Sequence, residues 1–391
     1  MRLVLVVALA TGLSIMGDSL MYGVLPLEAP HLGIALPLVG VLLSANRLVR
    51  LVSNTWAGAA FERWGAHRPF VAATVLGAAA ALLYGVGYGF AVFLLARVMW
   101  GVAWSGLRQG GYEAVLRGEG RTHGRMMGLL WGLVRLGSAV SVALGGFLRD
   151  RRGYRLAAGS IAAMTVLAIP VALGMRWPER KGGAQRQETP SSLAGWRIAW
   201  RTAPRRWLLA AGFLDSLGEG ALVSTASLFL AQRIGVVDVP GLPVIGVGTV
   251  AGFLLAVRYL ADFVFGPLIG ALSDRLGRTR TALLLAVALL AGLSNAVVLS
   301  GLALAVCLTL VFIVRAGSFV TFSAISSRLA SESESPPLFV GVYTTLTDAG
   351  MAAGPLLAYS IAQVVDLPLL YVTVAALVLV STWQFRRAEN R

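Results

Sequence analysis

The sequence predicts an all-α membrane protein of about twelve transmembrane helices, in two pseudo-symmetric six-helix bundles. Three observations carry that prediction. First, 57% of the 391 residues are hydrophobic and only 13% are charged, with a mean hydropathy of +0.77. Soluble domains are about a quarter charged, and no water-soluble core could hide this much apolar area, so lipid must solvate most of it. Second, apolar runs long enough for a bilayer, about 20 residues each, recur along the whole chain. Third, the second half repeats landmarks of the first.

Runs bounded by Gly, Pro and charge place spans at 3–27, 34–57, 68–88, 90–112, 125–147 and 154–176. A second set falls at 206–231, 241–270, 280–300, 302–327, 337–362 and 367–386. Residues 177–205 between them are rich in Pro, Gly, Gln, Glu and basic residues and read as a cytoplasmic linker. The expected organisation is therefore an N-terminal bundle (1–176), the linker (177–205) and a C-terminal bundle (206–391).

The net charge of +15 would suggest nucleic acid on a soluble face, but here it is distributed across a membrane. Arg63, Arg68, Arg117, Arg121, Arg125, Arg275, Arg278, Arg280, Arg386 and Arg387 fall on one side, with a dense group from Arg176 to Arg206. Basic loops mark the cytoplasmic side, so both termini are expected in the cytoplasm of a multi-pass inner-membrane protein. The run Arg149, Arg151, Arg152 and Arg155 falls on the opposite side, against this bias. The N-terminal apolar run continues past Asp18 to Leu27 without a small-residue cleavage site, so it reads as span 1 rather than a signal peptide.

Gly17-Asp18-Ser19-Leu20 in span 1 returns as Leu214-Asp215-Ser216-Leu217 in span 7. The segment Gly58 to Gly65, with Glu62 and Arg63, returns as Gly270 to Gly277, with Asp274 and Arg275. Arg97 in span 4 has Arg315 in span 10. Gly128, Arg135 and Gly137 of span 5 match Gly341, Asp348 and Gly350 of span 11, each 213 positions later. Agreement in order and span number points to a duplicated half, and repeats around a midplane site are the design of secondary transporters.

The run Gly270-Ala-Leu-Ser-Asp274-Arg275-Leu-Gly277-Arg278-Thr-Arg280 resembles the loop signature G-x-L-x-D-R-x-G-R-x-x of the major facilitator superfamily. The first-half copy (Gly58, Glu62, Arg63, Gly65) has Glu in place of Asp. Leu95-Ala96-Arg97-Val98-Met99-Trp100-Gly101 is similar to the fourth-helix motif of the drug/proton antiporter branch. Span 5 carries Gly145-Gly146 without that branch's proline, and Gly354-Pro355 stands in span 11 instead. The resemblance implies a twelve-helix transporter working by alternating access.

A charge at the bilayer centre costs about 2.5–3.5 kcal/mol on insertion scales, so each intramembrane charge needs a role. The acidic set is Asp18, Asp215, Glu219, Asp262 and Asp348; the basic set is Arg47, Arg50, Arg97, Arg108, Arg135, Arg258 and Arg315. At about 1.5 Å per residue, Asp18 lies roughly 22 Å from the cytoplasmic end of span 1. Arg97 lies roughly 10 Å from the opposite face, which is the same level in a span of about 34 Å. Asp215 or Glu219 matches Arg315 in the same way. A carboxylate facing an arginine can take and release a proton as conformation changes its surroundings. Asp18 is the first choice for that role and Glu219 the second. Tyr22, Trp100, Trp104, Tyr112 and Trp131 fall in spans expected to line or border the cavity and would suit an amphipathic organic substrate; lipid-interface anchoring is the alternative for such residues.

The resemblance also implies that helix 2 faces helix 11 and helix 5 faces helix 8. Arg50 and Asp348, and Arg135 and Asp262, are then expected to pair as a gate on the cytoplasmic side. Each arginine has a repeat equivalent of opposite sign in the other half.

Other chemistry is missing from the sequence. The only lysine is Lys181 and no G-x-x-x-x-G-K-[S/T] loop exists, so ATP-driven transport by this chain is excluded as a reading. Cys307 stands alone, and His31, His67 and His123 form no metal or nucleophile constellation. The expectation is a non-enzyme without cofactor or metal, acting as a monomer on a small-molecule substrate and protons, with no nucleic-acid partner. The leading function is proton-coupled export of small organic molecules, drug or metabolite. The alternatives are uptake or exchange of an anionic metabolite through an arginine-rich cavity, and a non-transporting receptor on the same scaffold.

Overall fold

A peptide group left without a partner in hydrocarbon costs several kcal/mol, and a helix satisfies each one within its own segment. The computed structural model describes residues 1–117, 123–178, 192–234, 245–362 and 364–390, and the described residues are almost wholly helical. Arg121, Lys181, most of the first half of the linker and the first residues of predicted span 8 lie outside them.

In chain order the helices are α1 (Arg2–Ser14), α2 (Met16–Glu28), α3 (Leu36–Trp64), α4 (His67–Val86), α5 (Gly89–Leu116), α6 (His123–Arg152), α7 (Tyr154–Val166) and α8 (Ala168–Leu173). They continue as α9 (Ser192–Trp200), α10 (Ala203–Arg233), α11 (Val247–Leu276), α12 (Arg278–Val298), α13 (Gly301–Ser331), α14 (Pro336–Ile361) and α15 (Leu367–Glu389). Helices α1 and α2 form one span of 27 residues, and ten spans among the described residues are long and apolar enough to cross a membrane. Two more long helices, α10 with 31 residues and α14 with 26, complete the twelve. They fall short in hydropathy because they carry Asp215 and Glu219, and Asp348 among several threonines, respectively.

Several helices outrun the apolar runs that announced them. Helix α3 continues to Trp64, α5 to Leu116 and α13 to Ser331. Their last turns hold Arg and Glu, where hydropathy gives no signal but the backbone ladder continues. The linker also contains a helix. Helix α9 buries Ile198 and Ala199 and packs on α14. Arg205 donates to the Ile198 and Glu332 carbonyls at 3.1 Å each, and Arg201 pairs with Glu334.

The chain forms two compact units. One comprises Met1–Ala184 with Ala226–Leu260, and the other Gln185–Thr225 with Ala261–Arg391. The boundaries pass through α10 and α11, so compactness groups residues 226–260 with the first six spans.

Within the first unit, α3 and α4 pack on α5, and α1 and α2 pack on α6. Small residues make the close approaches, as expected where lipid competes for large apolar groups. A side chain at Gly17 would strike Ala81, one at Gly106 would strike Ala73, and one at Gly137 would enter the backbone of α1 at Gly12. In the second unit Gly350 sits against the α10 backbone at Phe213, and Gly354 against Leu217 and Ala221. Large side chains such as Leu51, Trp56, Phe253, Phe263, Leu284 and Leu302 face outward, the arrangement for a lipid solvent.

Gly65 closes α3 at φ +73° and Gly277 opens α12 at φ +92°. Both signature glycines therefore hold a backbone conformation that L side chains avoid. Gly89 and Gly301, each after an extended residue at the head of α5 and α13, form a second such pair at φ +81° and +57°.

Candidate functional site

The first unit is organised around Arg97, which is fully buried on α5. Its guanidinium forms an ion pair with Asp18 on α2. It also donates to the Leu42 carbonyl at 2.8 Å, the Leu43 carbonyl at 3.3 Å and the Tyr22 hydroxyl at 3.4 Å. Asn46 on α3 donates a second hydrogen bond to Asp18 Oδ1 at 3.1 Å. One arginine thus joins α2, α3 and α5 and spends its donors on four acceptors. Breaking such a buried pair strands a charge, which costs about 3–5 kcal/mol.

Below this pair an aromatic ladder runs along α5 and onto α6. Ring centroids are 5.8 Å apart for Trp100 and Trp104, 6.1 Å for Trp104 and Trp131, and 6.2 Å for Tyr112 and Trp131. Arg50 lies 5.7 Å from the Trp104 ring, and its Nε donates to the Asn46 carbonyl at 3.2 Å. Arg135 and Arg258 stand over the Tyr259 ring at 5.7 and 4.8 Å. The structure therefore brings Trp100 and Trp104 together with Tyr112 and Trp131, whereas Tyr22 packs against Arg97, whose guanidinium lies 5.4 Å from its ring.

The second unit holds a looser counterpart. Arg315 on α13 stands 3.4 Å from Asp215 Oδ1, yet its hydrogen bond goes to the Asp215 backbone carbonyl. Asp215 Oδ1 and Arg315 Nε, both buried, make no hydrogen bond among the described residues. Glu219, one turn along α10, is half-buried, and its charge acts on Asp215.

The loop-signature residues sit at helix ends. Arg63 and Arg68 rim an apolar groove walled by Trp56, Ala60 and Leu76, as expected of a helix end at a membrane surface. Gly58 has no close neighbour and Glu62 is exposed. In the other copy Arg278 bonds Asp274 at 3.2 Å and the Ala324 carbonyl of α13 at 3.2 Å, tying the head of α12 to both neighbours. Arg275 is exposed, and Gly270 touches Val320 of α13. Of the expected gate residues, Arg50 and Arg135 belong to the first unit, and Asp262 and Asp348 to the second.

The sequence did not announce a network at the far end of the first unit. Arg149 on α6 bonds Glu28 of α2 at 2.6 and 2.7 Å, and Asp150 at 2.9 Å. Asp150 in turn accepts the backbone N–H groups of Gly248 at 3.2 Å and Thr249 at 2.6 Å, and the Thr249 hydroxyl at 2.7 Å. These amides are in the first turn of α11, where N–H groups have no helical acceptor. Asp150 is thus an N-cap supplied by another helix. Two carboxylates thus neutralise Arg149, one member of the basic run Arg149, Arg151, Arg152 and Arg155.

Here α6 and α11 also approach closely. Gly146 lies on the Gly248 carbonyl and Gly252 on that of Val142, with no room for a side chain. Among the described residues, no three His, Cys, Asp or Glu side chains cluster to hold a metal ion.

This arrangement of helices, buried ion pairs and signature loops can be compared with known proteins. The family model described as Major Facilitator Superfamily matches residues 7–262 and again residues 208–390. The chain belongs to the major facilitator superfamily. It is 30% identical to a chloramphenicol resistance protein of Streptomyces lividans over 370 residues, covering 90% of this chain and 87% of the relative. It is 22% identical to the quinolone resistance protein NorA of Staphylococcus aureus (strain MSSA476) over 224 residues, 56% of each chain.

Among solved structures, the nucleoside transporter NupG superposes with a TM-score of 0.79 at 13% identity, covering 100% of both chains. A peptide transporter POT in complex with sulfate gives 0.77 at 13% identity, covering 100% of this chain and 94% of that one. At that identity the likeness is one of fold. The relatives and the fold are those of transporters rather than enzymes, so this superfamily member is a multi-pass membrane transporter.

Proposed function

We propose that the protein exports small organic molecules across the cytoplasmic membrane, driven by proton entry through alternating access. The observation that carries this reading is similarity along nine-tenths of the chain to a chloramphenicol resistance protein. The geometry supplies a mechanism. Asp18 is the proposed proton carrier, with Arg97 as its partner and with Asp215, Glu219 and Arg315 as the corresponding group in the other unit. Ionised Asp18 holds α2 to α5 through Arg97 and to α3 through Asn46. A proton on Asp18 removes the charge on which that joint depends, so protonation and helix movement become coupled.

Proton release at the other face restores the pair. At the opposite end, the Glu28, Arg149 and Asp150 network and the cap on α11 form one closed arrangement of a two-state element. Outward opening requires that arrangement to break.

The basic residues Arg63, Arg68, Arg275, Arg278, Arg280, Arg386 and Arg387 support an orientation with both termini in the cytoplasm. The protein is taken to work as a monomer. The reading is tested in inverted membrane vesicles by adding a protonophore while a substrate is being accumulated. Accumulation that continues unchanged would exclude proton coupling.

A further inference from the structure

The exporter reading leaves the charge of the substrate open, and one helix stripe of the first unit bears on it. On α5, Trp104, Arg108 and Tyr112 follow at four-residue steps and share a face. Trp131 of α6 touches both aromatic rings of that stripe, and Arg108 lies between them in sequence and height. On α3, Leu43, Arg47, Arg50 and Asn54 form the facing stripe. The Leu43 carbonyl accepts the Tyr22 hydroxyl at 3.5 Å, Arg50 covers the Trp104 ring at 5.7 Å, and Asn54 accepts from Ser105 at 2.8 Å. The charges of Arg47 and Arg50 both act on the Tyr22 hydroxyl.

Arg47 and Arg108 are half-buried, and neither makes an ion pair or hydrogen bond with another described residue. Both α3 and α5 run in the same direction. The Leu42 and Leu43 carbonyls stand level with Arg97, which puts Arg47 about two turns, roughly 10 Å, above Arg108. Of the carboxylates near this wall, Asp18 is already engaged by Arg97 and Asn46, and Glu113 on α5 by Arg117. This wall therefore offers guanidinium groups, which match a carboxylate bidentately, alternating with ring faces.

We propose that the stripe formed by Arg47, Arg50, Trp104, Arg108 and Trp131 binds the transported substrate, and that this substrate is a planar aromatic anion. The ring lies against Trp104 and Trp131 while its carboxylate is held by the arginines. The inference rests on the exporter reading for the direction of movement. It adds the substrate's class, in place of the neutral or cationic compounds an acidic cavity would select. An anion leaving a cell whose interior is negative also moves with the electrical gradient.

The test uses the purified full chain in lipid nanodiscs and three probes with one ring system: 2-naphthoate, 2-naphthamide and 2-naphthylmethylammonium. Binding is read by thermal shift and titration calorimetry. The expected result is at least tenfold tighter binding of 2-naphthoate than of the other two. Arg47→Gln and Arg108→Gln should each weaken 2-naphthoate at least tenfold, with the ligand-free melting temperature retained. Arg47→Lys, which keeps charge but not the planar fork, should fall in between.

Equal binding of the amide or the amine overturns the proposal. So does undiminished 2-naphthoate binding in both glutamine variants, or no binding of 2-naphthoate at millimolar concentration. The exporter reading fails on a separate result, accumulation in inverted vesicles that is indifferent to a protonophore. If proton-driven accumulation of a neutral or cationic drug is seen, that reading stands and only the anion assignment falls.

Discussion

Asp150 caps α11 from a different helix, with Thr249 as the residue that receives it: the backbone N–H lies at 2.6 Å and the hydroxyl at 2.7 Å from the same carboxylate oxygen. The two residues are 99 positions apart in sequence. The bond joins the end of α6 to the start of α11 where Gly146, Gly248 and Gly252 bring the two backbones together.

Removing that cap should loosen the first turn of α11. N-cap loss costs about 1 kcal/mol, so Asp150→Ala should raise amide exchange in residues 247–250 roughly fivefold. Thr249→Val keeps the backbone donor and should have a smaller effect. Hydrogen exchange read by mass spectrometry checks both, and equal protection in Asp150→Ala and the parent would refute the cap.

Arg97 and Asp18 should respond differently to substitution. Arg97→Ala removes the common partner of three helices and leaves Asp18 buried beside Asn46 alone, a loss of about 3–5 kcal/mol. In Asp18→Asn the Arg97 charge loses its counter-ion, but the amide oxygen still accepts from Arg97 and Asn46 and the Leu42 and Leu43 carbonyls still hold the guanidinium, so the hydrogen-bonded joint is kept and the loss should be smaller. Thermal unfolding in detergent should show a large drop for Arg97→Ala and a clearly smaller one for Asp18→Asn. Equal drops would contradict the assignment of Arg97 as the organising residue.

The repeat makes a paired prediction about glycines. Gly137 and Gly350 each meet the backbone of a neighbouring helix, at Gly12 and at Phe213, whereas Gly128 and Gly341 have open space around them. Gly137→Leu and Gly350→Leu should each destabilise by about 1–3 kcal/mol or more through overpacking. Gly128→Ala and Gly341→Ala should be close to neutral. Melting temperatures of the four variants decide the matter.

Much of this was legible in the sequence, for reasons that differ from element to element. Apolar run length gives the spans because a bilayer demands about 20 residues of any helix that crosses it. Gly65 and Gly277 stand out because a positive φ admits little else. Gly137 and Gly350 could be matched by position alone, and their common role in helix crossing needed coordinates. Counting depth placed Asp18 level with Arg97, yet it could not foresee that the Leu42 and Leu43 carbonyls take the other donors.

The parts that were not legible share a physical cause. Asp150 hides in a basic run, and its partner is an ordinary Gly-Thr pair at the head of a distant helix; a cap in trans leaves no local spacing. Helix α9 was read within a polar linker because hydropathy averages over its arginine and the charges around it. The aromatic residues were visible as a set, but the contacts that make Trp131 the link between Trp104 and Tyr112 depend on how α5 and α6 meet.

The central claim is that proton entry at Asp18 drives export. Inverted membrane vesicles, acidified inside, can be offered radiolabelled chloramphenicol, 2-naphthoate and ethidium in turn, with parent protein and with Asp18→Asn. The account predicts accumulation of at least one of them by the parent, its loss on adding a protonophore, and no proton-driven accumulation by Asp18→Asn. Accumulation indifferent to the protonophore, or a full proton-driven gradient in Asp18→Asn, would contradict it.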